Sequence, residues 1–165
     1  MNILSAVPPA DLIARGREMA FEARRADPAA DSISTPRAAI IDAWTRRLRV
    51  SVDGAWTKRL VPNVEAWCNR RHGELEFHMT QVMSGHGCFG TYLQRIRKEA
   101  TSSCHHCVCL VDDAAHTLLE CPAWDAERAA MNATIKAQLR ADNFSESSWA
   151  ARSAGKPWLS FVGAS

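Results

Sequence analysis

A chain of 165 residues, 47% apolar and 23% charged with six tryptophans, has room for one modest domain or a compact core with loose ends, and is too apolar for a low-complexity disordered chain. Its formal charge of +2 is unevenly spread: residues 37–98 hold 11 Lys and Arg against 5 Asp and Glu, a net of +6, whereas residues 1–36 come to −1 and 99–165 to −3. No apolar run approaches the ~18 residues of a membrane span, and the N-terminus lacks the basic and then apolar order of a secretory signal. The protein is therefore expected inside the cell, in nucleus or cytoplasm, with no membrane partner and not secreted.

In chain order, PADLIARGREMAFEARRA (9–26) predicts a helix with Leu12, Ile13, Met19 and Phe21 as its apolar members, interrupted by Gly16. DPAADSISTP then reads as a linker. Thr35 offers an N-cap oxygen and Pro36 suits the first helical position, which opens a second helix to about Val52. Its apolar stripe is Ile40, Ile41, Trp44, Leu48 and Val52, and Asp53-Gly54 end it. A short helix over 63–71, capped by Asn63 and stopped by Gly73, places Val64, Trp67 and Cys68 on one side.

Next, ELEFHMTQVMSGHG alternates at first like a strand, yet Phe77, Met79, Thr80 and Met83 also share a helical face. A helix over 76–84 with Gly85 as its C-cap is expected. CFGTYLQRIRK predicts a further helix with Phe89, Tyr92, Leu93 and Ile96 inward and Arg95, Arg97 and Lys98 outward. AWDAERAAMNATIKAQLRA is alanine rich and helical, and the polar tail from Asn143 shows no clear element. The sum is a mainly α fold, a small helical domain with flexible termini.

The stretch SSCHHCVCLVDDAAHTLLECPAW concentrates four cysteines and three histidines. In a chain without a secretory signal, clustered thiols are metal ligands more often than disulfides. Cys104, Cys107, His116 and Cys121 form CxxCx8HxxxxC, three thiolates and one imidazole, which close a tetrahedral zinc shell and leave no open position. The CxxC half suits a tight turn whose backbone N–H groups point at sulfur, and Asp112 or Asp113 can cap the helix carrying His116. His105, His106 and Cys109 lie within reach of the same ion. Ser84 and His86 in SGHG adjoin on a turn and cannot align as nucleophile and base. They read as a helix end, while His72 and His78 read as packing or surface residues.

The order of the motifs adds a resemblance. Trp44, WTKRLVP at 56–62, Trp67, HGELEFHMTQVMSGHGCFGTYL at 72–93 and then CxxC with DDAAHTLLECPAW follow one another. Over residues 40–128 this resembles the region C-terminal to the polymerase in reverse transcriptases of non-LTR retrotransposons. The resemblance implies that Cys104, Cys107, His116 and Cys121 are zinc ligands of a CCHC knuckle, and that the basic helices before it hold RNA or DNA. The chain departs from the whole family protein in having no aromatic-x-Asp-Asp polymerase motif and no endonuclease. Its start methionine directly before a helix suggests a truncated copy.

Four regions are expected: an N-terminal helix and linker (1–36), a basic helical region (37–99), the knuckle (100–128), and a C-terminal helix and tail (129–165). The leading expectation is a zinc-stabilised nucleic-acid-binding fragment of a retrotransposon reverse transcriptase without a catalytic centre. Arg46, Arg47, Arg49, Lys58, Arg59, Arg70, Arg71, Arg95, Arg97 and Lys98 would supply phosphate contacts. The alternative is a zinc-stabilised helical scaffold that packs against the polymerase portion of the parent protein and binds no nucleic acid itself. A zinc hydrolase ranks third, because a closed shell has no site for water.

Overall fold

The computed structural model describes residues 3–27, 34–70 and 75–153. The described residues are mainly α-helical and contain no strand. The chain forms two compact units, one of Met1–Gly54 with Asn63–Arg70, the other of Ala55–Pro62 with Arg71–Ser165. The proposed linker falls largely outside the described residues, as do Gly73 and the last 12 residues of the chain.

The first unit holds α1 (Ala10–Ala26), α2 (Ser34–Val50) and, after an interruption, α4 (Val64–Asn69). The helix stripe of α2 is buried at Ile41, Trp44 and Leu48, which meet Leu12 of α1 and Val64 and Trp67 of α4 in the core. Val52 is 90% exposed because the helix ends at Val50 and no longer carries it round to the buried side. On α1 only Leu12 and Gly16 are buried, while Met19 and Phe21 are exposed, contrary to expectation. Gly16 packs against the Ile40 side chain of α2. A Cβ there would sit 2.3 Å from Ile40 Cδ1, so the residue read as an interruption makes room for that side chain.

Asn63 caps α4 as predicted, its side chain accepting from Ala66 N at 2.9 Å. The Trp67 indole donates to Ile3 O at 2.8 Å, which satisfies a wholly buried N–H and ties the N-terminal turn to the core.

The second unit holds α3 (Ala55–Leu60), α5 (Phe77–Ser84), α6 (Gly90–Arg95), α7 (Asp125–Ile135) and α8 (Phe144–Ser153). α5 ends where expected, at Gly85 with φ +69°. Its last carbonyls are capped from α3: Trp56 Nε1 donates to Val82 O at 2.7 Å and Thr57 Oγ1 to Met83 O at 2.8 Å. Met79, Val82 and Met83 are buried, whereas Phe77 is 70% exposed. α6 is shorter than predicted, since Arg97 at φ +60° turns the chain and leaves Ile96 exposed.

α7 stops at Ile135 rather than near Ala141. The Asn132 side chain accepts from Leu139 N at 2.7 Å and Lys136 takes φ +53°, a side-chain alternative to the helical ladder. α3 and α8 carried no legible signal. α3 is six residues long, and α8 buries serines, with Ser148 Oγ donating to Ser145 O, where a sequence pattern would require apolar residues.

Candidate metal centre

The four predicted ligands converge in the second unit. One donor atom from each of Cys104, Cys107, His116 and Cys121 lies within 4.8 Å of every other. The Cys104 and Cys121 sulfurs are 3.9 Å apart, and Cys107 Sγ is 3.4 Å from His116 Nε2. A tetrahedral ion with metal–sulfur bonds of about 2.3 Å and metal–nitrogen bonds of about 2.0–2.1 Å spaces its donors by about 3.6–3.8 Å. The donor set fits, and these four side chains could bind a metal.

Local structure accounts for each ligand. His106 N–H donates to Cys104 Sγ and Cys109 N–H to Cys107 Sγ, both at 3.4 Å, and Cys104 N closes the turn on Cys109 O at 2.9 Å. These are the amide dipoles that stabilise thiolate charge. Residues five apart on an α-helix lie about 140° round its axis. His116 and Cys121 instead bracket a π turn over His116–Glu120, closed by Cys121 N donating to His116 O at 2.7 Å, and the wider turn brings both to one side.

Asp113 is the cap, accepting from His116 N at 2.7 Å. Asp112 does something else. Buried, it accepts from Gly90 N at 3.0 Å and Thr117 Oγ1 at 2.8 Å, which fastens the cysteine segment to the start of α6. At that crossing a Cβ on Gly90 would meet Ser102 O at 2.6 Å, so only glycine allows it.

Burial pushes the Cys121 thiol up to about 12 and raises that of Cys104. Both are neutral thiols at pH 7 without a metal, and a metal that takes them as thiolates displaces protons. Arg128, nine-tenths buried, donates through Nη2 to Cys121 O and to Asp125 Oδ1. Three thiolates and a neutral imidazole around a divalent ion would sum to −1, and Arg128, ion-paired with Asp125, lies on that side. Sequence reading missed it, because a lone arginine in an alanine-rich helix looks like a surface residue.

His105, His106 and Cys109 have other partners: His105 Nε2 pairs with Glu99 at 2.8 Å, the His106 ring lies edge-on to Trp124, and Cys109 Sγ bonds Val111 O. Ser84 Oγ bonds Gln81 O while the His86 ring stacks on Tyr92, and His78 is exposed. His72 lies outside the described residues.

The basic residues divide between the units. In the first, Arg46 pairs with Asp42 and Arg47 with Asp11, whose carboxyl is thereby held below its ordinary value; Arg70 donates to Trp67 O and stands 4.1 Å over the indole, and Arg49 is exposed. In the second, Lys58 is half-buried, Arg59 lies against Trp56, Arg95 lies 5.1 Å over Tyr92, and Arg97 and Lys98 are exposed. Arg71 lies outside the described residues.

Comparison of the chain with protein-family models, with curated proteins and with solved structures returns no match. Among the described residues no helix is long and apolar enough to cross a membrane.

Proposed function

We propose that the protein is a zinc-stabilised nucleic-acid-binding module, of the kind that follows the polymerase in non-LTR retrotransposon reverse transcriptases. The observation that carries the reading is the convergence of Cys104, Cys107, His116 and Cys121. Support for zinc comes from the donor set: three soft sulfur donors and an imidazole, drawn within 4.8 Å of one another, suit a d¹⁰ ion that imposes no geometry of its own. Four protein ligands leave no place for water or substrate, so the ion's role is structural, and no catalytic role is proposed for the chain. Support for nucleic acid comes from the +6 segment before the cluster and from the order of motifs shared with that family.

Purified protein is expected to hold one zinc per chain and to shift single-stranded RNA or DNA in a mobility assay. Each phosphate neutralised steepens the log–log salt dependence of affinity by about 0.7–0.9. Chelation should abolish the shift and added zinc restore it. Absence of zinc, or no binding at about 50 mM salt, where phosphate contacts are strong, overturns the reading.

A specific observation favours a second reading, a scaffold that packs on a polymerase. Val108, Leu110 and Val111, beside the ligands, are 100%, 76% and 53% exposed. Apolar side chains so placed suit a protein partner. Metal content with no nucleic-acid shift would favour this alternative.

A further inference from the structure

Within the second unit Trp56, Arg59, Gly85, Asp113 and Ala115 line a cleft of about 230 Å³. We infer that this cleft takes one unpaired nucleotide, its base against the Trp56 indole and its phosphate on Arg59. The inference rests on the nucleic-acid reading above and names the residues that would do the reading.

Three observations carry it. Trp44 and Trp67 are wholly buried and unavailable, whereas Trp56 is half-buried and opens into the cleft. Its indole is fixed by the Nε1 bond to Val82 O, so the ring is a preformed platform that loses little freedom on stacking. Arg59 stands beyond it, 5.6 Å from guanidinium carbon to ring centroid and exposed. Among the described residues no carboxylate pairs with Arg59.

A base sandwiched between indole and guanidinium needs about 7 Å, two contacts of ~3.5 Å, which a small outward swing of Arg59 supplies while carrying its charge toward the phosphate. The volume falls below the ~300–1,000 Å³ of drug-sized sites and suits a single ring system. Gly85 contributes to the lining at φ +69°, a backbone conformation that suits glycine.

The opposite wall is Asp113, Ala114 and Ala115, the turn that leads into His116. The cleft is thus framed by the residues that position a metal ligand, and metal loading would hold its shape.

The test uses the full chain loaded with zinc, a labelled unpaired RNA 12-mer and the matching duplex. Ala115→Leu fills the cleft, changes no charge and suits a helix. Ala115→Leu, Arg59→Gln and Trp56→Leu should each weaken single-strand binding by roughly 5- to 100-fold, the range of one lost stacked base. Trp56→Phe, which keeps a ring face, should recover part of it. Duplex binding by Ala115→Leu should stay at the wild-type level.

Metal-loaded Ala115→Leu that binds the single strand as well as wild type overturns the cleft and leaves the nucleic-acid reading standing. Wild type that binds neither probe overturns both. Adenosine monophosphate that competes with the strand in wild type but not in Ala115→Leu assigns the site to a free nucleotide as well. No competition, with the variant effects intact, assigns it to the strand alone.

Discussion

Cys121 enters the cluster between a π turn and the 3-10 turn Pro122–Trp124, with its side chain wholly buried and its carbonyl held by Arg128. That carbonyl contact braces the backbone of Cys121, which is extended at φ −60° and ψ 120° between the two turns. Arg128 also places a cation beside a cluster whose filled form carries a net negative charge. Partners that orient a ligand in this way typically change metal affinity by about 10- to 100-fold when removed. Arg128→Met keeps most of the buried stem and loses the charge and both hydrogen bonds. Its zinc affinity, measured by competition with a chromophoric chelator, should fall by about 10-fold or more. Affinity equal to wild type would show that the ligand turn is held by its own backbone bonds.

Gly16 shows at the level of helices how a propensity can be overruled. Intrinsically it weakens α1 by about 1 kcal/mol relative to alanine, yet it makes room for the Ile40 side chain of α2. That room for a side chain is set against helix propensity, beside a core that Leu12, Ile41 and Trp44 build. Gly16→Val inserts three carbons where one would already meet Ile40 Cδ1, and should lower unfolding stability by about 1–3 kcal/mol. Adding Ile40→Ala opens the space and should return part of that loss. Denaturant midpoints of the single and double variants measure both. If the double variant simply sums the two single effects, the side chains do not compete for one space.

Across the whole molecule, the metal cluster and all its supports, from Gly90 and Asp112 to Arg128, belong to the second unit, while α1, α2 and α4 make a core of their own. Zinc in small modules contributes on the order of 10 kcal/mol to folding, comparable to the entire ~5–15 kcal/mol stability of a domain. Stripping the metal should therefore unfold residues 100–124 and loosen α6 and α7 while α1 and α2 keep their protection. Hydrogen exchange read by mass spectrometry after chelation locates the loss. Uniform protection before and after chelation would mean that no structural ion is held, and uniform loss would mean that the two units unfold together.

Spacing alone picked out the four side chains that converge, and its CxxC half is local chemistry: a tight turn needs only its own few residues to aim two amides at sulfur. Helices with a clear apolar stripe or a capping residue, α2, α4 and α5, were legible for the same reason. The choice between Asp112 and Asp113 as the cap depended on α6, 22 residues away, where Gly90 takes Asp112 as its own partner; the π turn that aligns His116 with Cys121 and the bond from Arg128 to Cys121 O are local, but no residue type announces them. The ends of α6 and α7 are likewise set by local geometry, Arg97 and Lys136 at positive φ and Asn132 accepting from Leu139 N, while α3 is tied to α5 by Trp56 and Thr57, 26 residues from their partners. Exposure was the least legible property. Met19, Val52, Phe77 and Ile96 carry the hydrophobicity of a core and lie outside it, and which tryptophans keep an open face was settled only when the chain closed around Trp44 and Trp67. Local chemistry can be read along the chain, but burial is a property of the neighbours that folding brings.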